Sequence, residues 1–196
     1  IMHSPGSESS PTSAAKTYLT FSRGIARLPL LERLLGRVLH VYGFAGRVFG
    51  AQGLESVSGV LGWGRRPGTE QALRFCKRTG VPYVALEDGF LRSYGTGDDF
   101  PPVAIVQDDV GIYYDSRAPS WLEEMLNSDR DWCAGIEDDI DRGLATVLAE
   151  GLSKYNHAPV WRSDLLPDGV RVLVVDQTVG DMSVVYGAAS AQTFHE

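Results

Sequence analysis

The sequence predicts an α/β protein, a Rossmann-like parallel sheet with flanking helices, on three observations. Short apolar runs of strand length occur at 57–61, 82–86, 103–106 and 170–175. Segments of helical period lie among them at 69–79, 119–126 and 136–148. Acidic residues stand directly after two of the runs, Glu87-Asp88 and Asp176, where open α/β sheets bind ligands. At 196 residues and 43% hydrophobic composition, the chain is long enough for one domain, or one and a half, around a sizeable core.

Residues 1–22 read as a disordered lead or an artificial remnant. Their first thirteen positions are rich in Ser and Pro and show no signal-peptide pattern. Residues 23–53 read as a basic amphipathic helix and a Gly-rich connection. Leu31, Leu34, Leu35, Val38, Leu39 and Tyr42 recur at helical spacing over 28–42, among Arg23, Arg27, Arg33, Arg37 and Arg47. Such a helix docks on its own domain, or it lies on an anionic membrane through 23–47.

The Rossmann-like domain is expected over 54–196, with its first strand at 57–61. A turn at 62–67 and a helix at 69–79, closed by Gly80, follow. The strand at 82–86 comes next, then strands at 103–106 and 111–114 around the Asp108-Asp109 turn. The helix near 119 takes Ser116 or Ser120 as cap. The β-branched run at 170–175 has the composition of a buried parallel strand, and 188–195 begins to look helical.

A net charge of −7 argues against nucleic acid as a partner. The two cysteines, Cys76 and Cys133, have no metal or redox spacing and read as reduced thiols of a cytosolic protein. No apolar run is long enough to span a bilayer. No cluster has metal-ligand spacing, no G-x-S-x-G elbow is present, and no P-loop or dinucleotide fingerprint occurs. No metal or cofactor is therefore expected. Asp139-Ile140-Asp141 has the D-x-D spelling of metal-dependent glycosyltransferases. It falls in a predicted helix, where i and i+2 do not share a face, and so reads as solvated surface.

Paired carboxylates at strand ends can divide labour, because like charges push their pKa values apart. One can attack an anomeric carbon while another takes a proton. Glu87, Asp88, Asp176 and Asp181 are placed for this. Each could equally cap the turn or helix that follows.

The motifs resemble one family. Leu61-Gly62-Trp63-Gly64-Arg65-Arg66-Pro67 and Leu86-Glu87-Asp88-Gly89-Phe90-Leu91-Arg92-Ser93 come first. Pro101-Pro102, Asp108-Asp109-Val110-Gly111-Ile112-Tyr113-Tyr114-Asp115 and Leu152-Ser153-Lys154-Tyr155-Asn156 follow. Val174-Val175-Asp176-Gln177-Thr178-Val179-Gly180-Asp181-Met182-Ser183 closes the set. In this order they resemble capsule polysaccharide biosynthesis proteins of KpsC type, from Leu61 onward.

The resemblance implies one half of a GT-B-type glycosyltransferase that acts with retention. Its donor would be CMP-Kdo, and its acceptor a phosphatidylglycerol-type glycolipid at the inner face of the cytoplasmic membrane. Asp181 is the implied nucleophile, with Glu87, or failing it Asp88, helping the acceptor lose its proton. Arg65, Arg92, Lys154, Asp176 and Gln177 are the expected substrate-binding residues; for the arginines the alternative is a structural ion pair. The family continues into a nucleotide-binding half with a K-x-H-P motif not found in this sequence. This stretch is therefore expected to carry the nucleophile and acceptor side and to lack most of the CMP grip. A non-catalytic α/β module binding sugar or a partner protein is the competing reading.

Overall fold

The computed structural model describes residues 17–37, 39–42, 51–160, 162, 166, 168–175, 177–190 and 192. Five strands form one sheet: β1 (Thr17–Thr20), β2 (Leu39–Val41), β3 (Val57–Trp63), β4 (Tyr83–Asp88) and β5 (Ile105–Asp108). Their spatial order is β2-β1-β3-β4-β5. The first four run parallel, and β5 pairs antiparallel with β4. The helices are α1 (Arg23–Ala26), α2 (Leu31–Leu35), α3 (Glu70–Thr79), α4 (Trp121–Leu126), α5 (Glu137–Ala149) and α6 (Met182–Tyr186). A mostly parallel sheet with flanking helices is the α/β architecture the sequence predicts.

Successive strand residues point to opposite faces, so the sheet has two cores. On one face Tyr18, Leu61, Val84 and Leu86 pack with Ile25, Leu31 and Leu35 of α1 and α2. On the other, Leu19, Val57 and Val60 pack with Ala72 and Phe75 of α3. There the rings of Phe21, Tyr42 and Phe75 lie 4.3–5.4 Å apart, a distance at which aromatic pairs attract.

The amino-terminal boundaries need correction. The sheet starts within the expected 1–22 lead, since Thr17–Thr20 lies between β2 and β3 with Thr20 fully buried; residues 1–16 lie outside the described residues. The helix expected over 28–42 is two elements. Gly36, at φ +64, closes α2 as its C-cap, and the chain re-emerges as β2. Leu31 and Leu35 face the core, so the apolar stripe docks on the domain. Residues 43–50, including Arg47, lie outside the described residues.

Further along, α3 and β4 form where the pattern places them, while 57–61 is the third strand of the sheet. The strand expected at 111–114 is absent. Asp108 Oδ1 instead accepts from the N–H groups of Val110 and Gly111, at 2.9 and 2.8 Å, which curls the chain away from β4. Asp108 Oδ2 accepts from Trp121 N at the start of α4. Ser120, not Ser116, caps α4 through a capping box with Glu123. The run at 170–175 forms no strand and is exposed throughout. A β-branched run becomes a strand only beside a partner, and none pairs with it among the described residues.

Candidate active site

The site lies at the carboxyl end of the parallel strands. β3 ends on Trp63 and β4 on Glu87-Asp88, with Trp63 in register with Leu86. Trp63 Nε1 donates to Glu87 Oε1 at 3.0 Å, and Asp88 N donates to the same oxygen at 3.1 Å. Both hydrogen bonds fall on Oε1. The second oxygen, Oε2, faces a corner formed by Gly64 and Tyr114.

Gly64 makes that corner possible. Its φ of +49° lies in the left-handed region, and a Cβ there would collide with Tyr114 Oη and lie 3.1 Å from Glu87 Oε2. With no side chain, the backbone turns under the phenol, and Arg65 N donates to Tyr114 Oη at 2.8 Å. Tyr83 Oη donates to Gly64 O from the other side at 2.7 Å. Burial pushes the Tyr83 phenol up to about 12, so it remains a donor at neutral pH.

Charge from three of the acids bears on Tyr113. Burial raises the pKa of its phenol first, and the charges of Glu87, Asp88 and Asp181 raise it further. Three of the sequence-predicted acids therefore act on one half-exposed phenol. Asp181 lies at the start of α6, where Oδ1 accepts from Ser183 N at 2.8 Å. It is the N-cap of that helix, as the structural alternative foresees.

The two arginines are held by carboxylates. Arg92 Nε donates to Asp88 Oδ1 at 3.1 Å, with both side chains largely buried. Arg65 Nε donates to Asp115 Oδ2, also at 3.1 Å. Asp115 additionally receives Arg117, through Nε at 2.8 Å and Nη2 at 3.0 Å. The Arg117 hydrogen bonds, despite burial that works against them, hold the Asp115 carboxyl down at about 2. Arg117 lies 4.2 Å over the Tyr186 ring. Ser116 N and Oγ donate to Tyr186 O at 3.0 and 2.9 Å, which fastens α6 to this loop.

Lys154 contributes through its backbone. Its carbonyl accepts from Arg92 N and Ser93 N, while its ammonium is exposed, 5.9 Å from the Tyr155 ring. Gln177 is exposed, and Asp176 lies outside the described residues. The structure thus brings Arg65, Glu87, Asp88, Arg92 and Asp181 around one end of the sheet. Trp63, Tyr113, Tyr114 and Asp115 belong there too. Their motifs were legible, but their roles were not. Arg117 and Tyr186 carried no sequence signal.

Asp139 and Asp141 lie exposed on α5, with Asp139 paired to Arg142. The metal-dependent reading, which needs them at a strand end, is set aside. No group of three or more potential metal ligands occurs among the described residues.

Comparison with known proteins identifies the family. Residues 58–168 match the family described as "Capsule polysaccharide biosynthesis protein". The chain is 40% identical over 178 residues to the capsule polysaccharide modification protein LipA of Neisseria meningitidis, which covers 88% of this chain and 24% of that protein. It is 35% identical over 131 residues to the lipopolysaccharide-processing protein LpsZ of Rhizobium meliloti, covering 62% of this chain and 29% of that one. The chain thus spans about a quarter of the length of these curated relatives. A solved structure of Thermosulfurimonas dismutans KpsC, a beta Kdo 2,4 transferase, superposes with a TM-score of 0.78 at 38% identity, over 93% of this chain and 55% of that one. The beta Kdo 2,7 transferase structure of KpsC, from the same organism, shares the fold at a TM-score of 0.50 and 22% identity, over 87% of this chain and 51% of that one. From the order of its motifs, its fold and these relatives, this chain belongs to the capsule polysaccharide biosynthesis protein family.

Proposed function

We propose that this chain is the nucleophile-bearing part of a retaining β-Kdo transferase of capsule synthesis. In this reading it belongs to a GT-B-type enzyme that takes Kdo from CMP-Kdo and passes it to a lipid-linked saccharide. The observation that carries the reading is that Tyr186 of α6 is hydrogen-bonded to Ser116 and to Arg65 O, which brings Asp181 at the start of α6 to the end of the sheet where β4 delivers Glu87 and Asp88. The likeness to a solved Kdo transferase supports it.

The reaction is a double displacement. Asp181 attacks the ketosidic carbon, the bond to CMP breaks, and CMP leaves with the bonding electron pair. The acceptor hydroxyl then attacks the same carbon as its proton passes to Glu87, and Asp181 departs as carboxylate. Two inversions give retention. Glu87 suits the base role better than Asp88, because Asp88 is committed to Arg92 whereas Glu87 keeps Oε2 clear of its two hydrogen bonds. Tyr113, protonated at neutral pH, can donate to an oxygen that gains charge between the acids. Exposed Arg23, Arg27, Arg33 and Arg37 would hold the enzyme against an anionic membrane surface that carries the acceptor.

Intact mass after incubation with CMP-Kdo tests the reading. It is run on this chain and on a version extended to the length of its relatives. One added Kdo residue is expected on the wild type and none on Asp181→Asn or Asp181→Ala. The pair separates capping from catalysis. Asn caps a helix as well as Asp, so Asp181→Asn should keep its stability. Asp181→Ala should lose about 1 kcal/mol. No adduct on either length of wild type would overturn double displacement and favour a sugar- or partner-binding module.

A further inference from the structure

Next to the acidic site, the loop after β4 presents aromatic rings to solvent. Phe90 is 75% exposed, Tyr94 64% and Phe100 37%. Tyr94 and Phe100 lie 5.8 Å apart at 49°, and the ring of His157 stands 6.4 Å from Tyr94 on the other side. Singly scattered exposed rings are ordinary, but rings clustered on one surface mark an interaction site.

The loop that carries these rings is pinned through its backbone. Asn156 N donates to Tyr94 O at 2.7 Å, and His157 Nδ1 lies 3.2 Å from the same carbonyl. Asn156 Nδ2 donates to Ser93 O, and Ser93 Oγ to Gly95 O at 2.6 Å. Phe100 lies flat against the loop because position 95 is glycine. A Cβ there would come within 2.8 Å of the ring. The cluster is joined to the site by one side chain, since Arg92 reaches Asp88 through Nε and Phe100 O through Nη1.

An open aromatic surface on a pinned loop, one arginine away from Asp88, fits a particular ligand. The C–H-rich face of a sugar ring stacks on aromatic rings without the shape-closing pocket that an apolar ligand needs, and its hydroxyl rim stays in water. We propose that Tyr94 and Phe100, flanked by His157, form a platform that binds the saccharide end of the acceptor. The platform directs the acceptor hydroxyl toward Glu87. This rests on the transferase reading for the direction of transfer, but not for sugar binding itself. The sequence could not show it, because Tyr94, Phe100 and His157 meet only through the pairing of Ser93 with Tyr155.

The test is saturation-transfer NMR on the chain with the methyl β-ketoside of Kdo, beside methyl β-glucopyranoside as a ring of different stereochemistry. Transfer to the ring C–H protons of the ketoside is expected. It should fall at least fivefold in Tyr94→Ala and in Phe100→Ala and return in Tyr94→Trp. In the extended enzyme, the KM for a Kdo-terminated glycolipid should rise about tenfold in Tyr94→Ala with a much smaller change in kcat. No transfer to either sugar in the wild type, or equal transfer in wild type and both alanine variants, would overturn the platform. A wild type that binds the ketoside through Tyr94 yet forms no adduct with CMP-Kdo at either length, this chain or the extended enzyme, would leave the platform standing and sink the transferase reading.

Discussion

At the scale of single residues, the site depends on groups whose geometry excludes substitution. Gly64 is the clearest, because a side chain meets both an unfavourable φ and the Tyr114 hydroxyl. Gly64→Ala should cost about 2 kcal/mol or more in urea denaturation. It should also displace Tyr114 from Arg65. Asp115 allows a prediction in pH. Its carboxyl sits at about 2 in the fold, against about 3.9 unfolded. A depressed acid stabilises the fold fully above the unfolded value and loses that contribution as pH falls through the folded one. Asp115 should therefore add stability above pH ~4 that disappears between about pH 4 and 2. Because Arg117 is exposed, the amount is on the order of 1–2 kcal/mol. Wild type and Asp115→Asn should thus converge in stability at acid pH, and a constant difference across that window would contradict this. The sequence named Glu87, Asp88 and Asp181 through their motifs. It could not say that Asp88 and Arg92 pair with each other, because an i, i+4 pair outside a helix depends on how the loop folds.

At the scale of elements, what was legible followed from period and punctuation. α3 shows a clear helical pattern and a glycine stop, and β4 is a short apolar run bounded by proline and acid. What was not legible was shorter than the window in which a period can be seen. β1 is four residues long and β2 three, and Leu31, Leu35 and Leu39 keep a helical rhythm across a chain reversal. Gly36 was the available signal. Leu30 precedes α2 with φ +62 and no side-chain cap, a conformation that costs a branched residue about 1 kcal/mol. Leu30→Gly should therefore leave stability unchanged or raise it by up to about 1 kcal/mol. A loss of stability in a thermal melt would contradict this. The run at 170–175 shows the converse limit: composition can specify a strand, but only a neighbouring strand can satisfy its backbone.

At the scale of the whole molecule, charge is unevenly spread. The chain carries −7 overall, yet Arg23, Arg27, Arg33 and Arg37 are all exposed on the segment around α1 and α2. An acidic protein is repelled by an anionic surface unless one face is locally basic. Sedimentation with phosphatidylglycerol-containing vesicles should show binding that fades at high salt. Arg27→Glu with Arg33→Glu should abolish it, and pure phosphatidylcholine vesicles should not bind. Binding that survives the charge reversal would refute the membrane contact. The strand order bears on how the sheet is assembled during synthesis. β1 is the first described strand to leave the ribosome, and β2, β3, β4 and β5 each join an outer edge of the sheet already made. Among the described strands, none has to be threaded between two that are paired. The nascent sheet can grow outward strand by strand as it is translated, and an amino-terminal deletion through Thr20 would remove the strand from which that growth starts.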